Sequence, residues 1–431
     1  MKKKMLVAAM SMATILGSVA VPVAQASTLK PGCHWVDQKA QIQSCQVWSK
    51  SMNKHVTVEF RQGNSHGTYL IDGARSNKKT SAWSHAHEGN IQGVDSRSTM
   101  IMPALPGGSW GSNWNKSPHG ENYQYETFLN EELPAYASQN FGVQDKNNTV
   151  VGLSMGATVA ANMAAHNGDY FDTAVLMSGY YHTNATAPLI EAVTQETGGA
   201  SAKDMWGEYF SPQWIHNDPS FNVNNLRGKK IIISVGSGAP KPGEYVKQED
   251  MVGAVGLEVA SIVSSGFYAL QAMAAGAQVE WQFTDGVHSW KNWSQAAARN
   301  SHVLQAEIPV EPPTNSDQAA HIADQFVAYS DVVPEEVKTA HIELSESMKQ
   351  APSEQSTQKE EKVDVNSLEK NPDSSTQDVA ETTTESSSET QSPVTETVET
   401  SVSQTVPSEE PQPVVEDSHN EHPASWWSFK K

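Results

Sequence analysis

The chain has 431 residues, with 49 acidic against 29 basic side chains and a formal net charge of −20. That balance excludes nucleic acid as a partner, because phosphate binding needs a basic face. The excess is uneven: residues 351–431 hold 17 Asp and Glu against 5 Lys, a net of −12, so the rest of the chain is close enough to neutral that its charge says little.

In chain order, residues 1–26 read as a secretory signal. Lys2, Lys3 and Lys4 form a positive start, Met5 to Val21 is apolar, and Ala24-Gln25-Ala26 supplies a small-residue cleavage site. The apolar run is too short, and too soon followed by the cleavage signal, for a membrane span. An exported chain with a mature start near Ser27 is the expectation. Cys33 and Cys45 follow, and an even cysteine count in an exported chain predicts that they pair as a disulfide.

Residues 27–308 have the texture of one α/β domain. Short β-branched runs at 55–60, 69–71, 99–102, 149–153, 173–177, 230–235 and 279–284 predict strands. Segments of helical period at 122–139, 155–166, 249–275 and 289–304 alternate with the later runs. That alternation predicts βαβ units and a mostly parallel central sheet flanked by helices. Residues 309–350 read as a linker with two weak helical patterns, 317–328 and 334–349, the second placing Val337, Ala340, Leu344 and Met348 on one face. Residues 351–431 are rich in Ser, Thr, Glu, Gln and Pro and carry no Gly or Cys. Such a segment cannot bury enough apolar surface to offset its ordering entropy, so a disordered acidic tail is expected. Its end, Ser425-Trp426-Trp427-Ser428-Phe429-Lys430-Lys431, is either an envelope contact or a functionless terminus.

The sharpest chemical signal is Gly152-Leu153-Ser154-Met155-Gly156, entered from the β-branched run Thr149-Val150-Val151 and followed by Ala157, Val159, Ala160, Ala161 and Met163. A G-x-S-x-G turn between a strand and a helix is the nucleophile elbow of α/β-hydrolases, with Ser154 as nucleophile. A serine hydroxyl needs a base, and the base an orienting carboxylate, in the chain order Ser, acid, His. His288 in Asp285-Gly286-Val287-His288-Ser289-Trp290, directly after the last predicted strand, is the expected base; His166, His182 and His216 read as ordinary polar positions. Glu244, Glu249, Asp250 and Glu258 all remain open as the acid, while Asp285 is too near His288 in sequence to approach the ring from behind. The backbone N–H groups of Ala74, in the turn after the strand at 69–71, and of Met155 are the expected oxyanion donors.

Taken together these blocks resemble the antigen 85 and corynebacterial mycolyltransferases, in the esterase D branch of the α/β-hydrolases. The resemblance covers most of residues 33–300 and rests on ordered motifs. They are Tyr69-Leu70-Ile71-Asp72-Gly73-Ala74-Arg75, Met102-Pro103 with Gly107-Gly108-Ser109 and Trp114, Tyr125-Glu126-Thr127-Phe128-Leu129 with Glu132-Leu133-Pro134, and Val151-Gly152-Leu153-Ser154-Met155. Met177-Ser178-Gly179, Asp204-Met205-Trp206-Gly207, Asn217-Asp218-Pro219 and His288-Ser289-Trp290 complete the series. The resemblance implies transfer of a mycoloyl group between trehalose-linked donors and cell-envelope acceptors, by a monomer peripherally associated with the envelope. It implies Glu258, in Gly256-Leu257-Glu258, as the acid, and Asp72, Arg75 and Trp290 as trehalose contacts. Cys33 and Cys45 with Trp48 look like the corynebacterial branch, which handles shorter mycolates. No metal or organic cofactor is called for, and the alternative within enzymes is a secreted carboxylesterase acting on envelope or environmental esters.

Three features depart from the pattern: Gly156 replaces the family's usual alanine, and Val235 stands where many members have a reactive cysteine. The stretch 83–94, with His85, Ala86, His87 and Glu88, matches poorly and reads as a solvated loop rather than a metal site. Fibronectin binding is therefore not expected of this chain.

Overall fold

The computed structural model describes residues 28–85, 88–91, 97–244, 246, 248–304, 315 and 317–322. The secretory signal at 1–26, Ala86 and His87, the helix expected at 334–349 and the acidic tail at 351–431 with its aromatic end lie outside the described residues.

Every strand expected from the sequence is present: β3 (Lys54–Arg61), β4 (Gly67–Ile71), β5 (Thr99–Pro103), β6 (Asn148–Leu153), β7 (Phe171–Met177), β8 (Lys230–Gly236) and β9 (Gln278–Thr284). Two further strands precede them, β1 (Cys33–Asp37) and β2 (Ile42–Ser49). The nine form one sheet in the order β1-β2-β3-β5-β4-β6-β7-β8-β9. From β5 to β9 all neighbours run parallel, while β1, β2, β3 and β5 pair antiparallel. This is the α/β-hydrolase arrangement, a mostly parallel sheet with helices on its faces.

The central strands read as continuous apolar runs because both faces of a parallel sheet are covered. Alternate residues go to opposite cores. Tyr69, Ile71, Val150, Leu176, Ile231 and Ile233 join one cluster, and Leu70, Val151, Val175, Met177 and Ile232 the other. The helix Met155–His166 contributes Ala160 and Met163 to the first core, as the helix Gln248–Ala274 does Tyr268 and Ala272. The helix Trp290–Arg299 covers the opposite face with Trp293, Ala296 and Ala297. Cys33 and Cys45 face each other across β1 and β2 and form the disulfide, which pins the outermost strand.

The helical expectations hold in type and shift at their ends. The segment expected at 122–139 begins at Tyr125 and passes through a wide turn at Phe128–Glu132 before Leu133–Phe141, where Pro134 enters the first helical turn. Ser289 caps Trp290–Arg299 by accepting from the Asn292 N–H, so the helix starts one residue later than expected; a separate turn, Ser301–Leu304, follows Asn300. Residues 317–322 of the pattern expected at 317–328 are helical. The sequence reading missed β1 and β2, although Cys45, Val47 and Ser49 face inward while Gln46 and Trp48 face out. It also missed the helix Ala187–Gly198, whose polar composition blurs the apolar stripe.

Candidate active site

Strand β6 leads into the helix Met155–His166 through Ser154, whose backbone lies at φ +53° and ψ −126°. A non-glycine residue held there costs on the order of 1–3 kcal/mol, and the two flanking glycines make the corner sterically possible. A Cβ on Gly152 would stand 2.0 Å from the Gly156 carbonyl oxygen, and one on Gly156 would stand 2.4 Å from that of Asp72. Gly156 therefore brings the start of the helix against the end of β4 more closely than an alanine would permit. Gly73 packs directly under the corner, its Cβ position 3.4 Å from the Ser154 Cβ. The loop after β4 is thus a wall of the site.

His288 follows β9 and is held by its own N–H to the Ala254 carbonyl at 3.1 Å. Its Nε2 lies 2.9 Å from Ser154 Oγ, and its Nδ1 lies 2.9 Å from Glu258 Oε2. Glu258 is fully buried on the helix Gln248–Ala274. A buried carboxylate needs donors, and its other oxygen, Oε1, has three. Ser178 Oγ donates at 2.8 Å, the Gly236 N–H at 2.5 Å and Asn292 Nδ2 at 3.3 Å. Trp293 Nε1 donates to Ser178 Oγ at 3.1 Å, and the Trp293 ring stands edge-on to His288 with centroids 4.9 Å apart. The result is a continuous relay, Ser154–His288–Glu258, at the carboxyl ends of the parallel strands, where open α/β sheets place their sites.

Of the other carboxylates left open by sequence, Glu244 accepts from the Val287 N–H at 3.1 Å and Ser289 Oγ at 2.5 Å, so it braces the loop that carries His288. Asp285 is exposed and accepts from Ser237 Oγ at 3.1 Å. Asp250 lies close enough to Arg75 to act on its charge, and the Glu249 side chain is outside the described residues. Ala74 and Met155 are both buried beside the corner, Met155 as the first residue of its helix, where an N–H has no partner within the helix.

Asp72 is buried at the end of β4. Its Oδ2 accepts from the Ala82 N–H at 3.2 Å, while its Oδ1 is buried without a partner among the described residues. Burial pushes its carboxyl up to about 7, against the opposing hydrogen bonds from Ser81 and Ala82. Trp290 is half-buried, edge-on to Trp83 at 5.4 Å and to Trp293 at 5.5 Å. Asp72 and Trp290 thus lean on the same short turn, Ala82–Ser84. Arg75 is exposed, with Glu196 and Asp250 as its acidic neighbours, and lies further along the same loop. Val235 is buried within β8. His85 pairs with Glu88 at 2.9 Å on the surface.

Two of the histidines read as ordinary polar positions come together. Glu126 Oε1 lies 3.1 Å from His166 Nδ1 and 2.7 Å from His216 Nε2. No spacing signal links three residues so far apart in sequence, so only the packed fold reveals the cluster. His182, by contrast, is buried against Gln271, its Nε2 3.1 Å from Oε1, and burial lowers its pKa.

Residues 49–301 match the family described as putative esterase. The chain is similar to the diacylglycerol acyltransferase/mycolyltransferase Ag85C of Mycobacterium avium, with 31% identity over 68% of this chain and 84% of that relative. It is also similar to the Ag85A enzyme of Mycobacterium ulcerans, with 31% identity over 65% of this chain and 85% of the relative. Among solved structures, Mycobacterium tuberculosis MPT51 superposes with a TM-score of 0.53 at 24% identity, covering 61% of this chain and 97% of that one, a likeness of fold.

Proposed function

Because the chain belongs to the putative esterase family and, within it, to the antigen 85 group of acyltransferases, we propose that it is an exported mycolyltransferase. It carries a mycoloyl group from trehalose monomycolate to a second trehalose monomycolate, or to another cell-envelope hydroxyl, through an acyl-enzyme on Ser154. The observation that carries this reading is the unbroken relay, with 2.9 Å from Ser154 Oγ to His288 Nε2 and 2.9 Å from His288 Nδ1 to Glu258.

In the first half-reaction His288 Nε2 takes the Ser154 proton as Oγ attacks the donor ester carbonyl. The Ala74 and Met155 N–H groups stabilise the tetrahedral oxyanion. Collapse expels trehalose, which leaves with the proton from His288. The acceptor hydroxyl then gives its proton to His288 and attacks the acyl-enzyme, and Ser154 is released with its proton restored. Glu258 holds His288 in the tautomer that leaves Nε2 free to accept. No metal or organic cofactor enters these steps.

Transfer has to outrun hydrolysis although water is abundant, which requires a bound and oriented acceptor. Asp72 Oδ1, without a partner among the described residues, suits a sugar hydroxyl, and the half-buried Trp290 ring suits a sugar face. Arg75 serves at the rim. The lipid chain runs along the helix Gln248–Ala274, whose start is open to solvent at Val252, 82% exposed, while Ala254 and Ile262 are buried. By length and composition this helix is apolar enough to cross a membrane, but half of its apolar window is packed inside the fold, as in a core helix. The enzyme acts as a monomer outside the cytoplasmic membrane, peripherally associated with the envelope.

The test is incubation of the mature protein with radiolabelled trehalose monomycolate. Labelled dimycolate with little free acid, abolished in Ser154→Ala, is the expected result. Free mycolic acid without dimycolate indicates the carboxylesterase instead. Failure of a fluorophosphonate to label the wild-type protein refutes a catalytic Ser154 altogether.

A further inference from the structure

Glu126 in the turn Tyr125–Thr127, His166 at the end of the helix Met155–His166 and His216 in the helix Pro212–Asn217 converge from three separate elements. All three offered ligand atoms lie within 4.8 Å of one another. The two imidazole rings are stacked, centroids 4.3 Å apart and planes 22° apart, and each turns a nitrogen toward the same carboxylate oxygen. Two imidazoles and one carboxylate are a donor set that zinc takes, leaving a fourth position for water. Metal–ligand lengths of about 2.0–2.2 Å place neighbouring ligands of a tetrahedral ion about 3.3 Å apart. The separations of 3.1 and 2.7 Å from Glu126 Oε1 therefore need only small side-chain adjustments. His216 is 45% exposed, so an ion has a path in from solvent.

We propose that Glu126, His166 and His216 form a zinc site, separate from the acyl-transfer centre, that staples the Pro212–Asn217 segment to the helix Met155–His166. The ion takes the places of the protons on His166 Nδ1 and His216 Nε2, and each neutral ring keeps its one proton by carrying it on its other nitrogen.

A second observation points the same way. His166 Nε2 is buried without a partner among the described residues, as are Asn130 Oδ1 and Asn162 Oδ1, and all three residues line one small recess. The Asn162 amide is oriented by its Nδ2, which donates to the Asn217 carbonyl at 2.8 Å, so its oxygen faces away from that bond. With Nδ1–H donating to Glu126, a neutral His166 presents Nε2 as a third acceptor among two others. With Nδ1 on a metal, the ring proton moves to Nε2, which becomes the donor those acceptors lack. Metal-bound histidines are held by this kind of outer hydrogen bond. The site lies at the far end of its helix from Ser154, about 17 Å away along the axis, so the acyl transfer itself does not run through the ion.

The test uses the mature full-length protein stripped with a chelator, then dialysed against zinc and analysed for metal content and by calorimetry. One zinc per chain is expected, with Co²⁺ giving the visible bands of a four-coordinate site. His216→Gln and Glu126→Gln should each weaken zinc binding by about a hundredfold or more, while fluorophosphonate labelling at Ser154 stays at the wild-type rate and reports an intact fold. Sub-stoichiometric uptake at micromolar zinc overturns the proposal and leaves an imidazolium–carboxylate cluster. Binding that survives both substitutions also overturns it, because the ion then sits elsewhere.

Discussion

The sharpest consequence of the relay concerns Glu258→Gln, which keeps the shape of the side chain and changes one oxygen into a donor. The native carboxylate gives Oε2 to His288 Nδ1 and Oε1 to Ser178, Gly236 and Asn292. Glutamine can satisfy only one of these two sides. Turning its NH2 toward the three donors would leave them without an acceptor, at about 1–3 kcal/mol for each buried group. The amide therefore keeps its oxygen on that side and presents NH2 to His288. The imidazole must then offer a lone pair at Nδ1 and carry its proton on Nε2, where it faces Ser154 Oγ at 2.9 Å and cannot accept. A tautomer fault of this kind costs about 10⁴ in kcat, or roughly 5.4 kcal/mol of barrier at 1.36 kcal/mol per decade. Burst kinetics with a p-nitrophenyl ester read the acylation step directly, with thermal melting as the control for folding. Glu244→Gln is the comparison: it loosens the His288 loop without touching the ring, and less than about a tenfold loss is expected. A folded Glu258→Gln protein that acylates within tenfold of wild type would refute the reasoning.

The remaining predictions concern the corner, the edge strand and Asp72. Gly152→Ala puts a methyl group 2.0 Å from the Gly156 carbonyl oxygen, and a stability loss of about 3 kcal/mol or more, read by urea titration, is expected together with loss of fluorophosphonate labelling. Replacing Cys33 and Cys45 by serine removes the β1–β2 crosslink and should cost about 3 kcal/mol in the chain-entropy model; hydrogen exchange should show the loosening confined to that hairpin. Asp72 has its carboxyl raised from 3.8 to about 7, so between about pH 4 and pH 7 the native state binds a proton that the unfolded chain has released. Its contribution is therefore present in full below the unfolded value and is lost as pH rises through the folded one. Asp72→Asn should flatten the fall in stability between pH 5 and pH 8 by an amount on the order of 2–4 kcal/mol, and an unchanged pH profile would contradict the assignment.

Much of this protein was legible from local pattern. The corner at Ser154 is a motif of five residues, and the clash that demands Gly152 is with the Gly156 carbonyl four residues on, whereas the one that demands Gly156 is with Asp72 at the end of β4 and exists only in the assembled sheet. The inner strands from β4 to β8 announced themselves as apolar runs, since a parallel sheet covered on both faces needs side chains of one kind at most positions. The imidazole after β9 followed from chain order alone. What pattern left open was which carboxylate meets that ring. Glu244 and Glu258 have the same chemistry, and both lie between β8 and His288. The rotation of the helix Gln248–Ala274 against the sheet turns Glu258 inward to Nδ1, while Glu244 is left to brace the loop. The resemblance to antigen 85 proteins named Glu258, but its placement is a product of packing. The same holds for Glu126, His166 and His216, which share one point in space and no periodicity in sequence. Local sterics are written within a few residues, whereas contacts between distant side chains exist only once the sheet and its helices have been assembled around a common core.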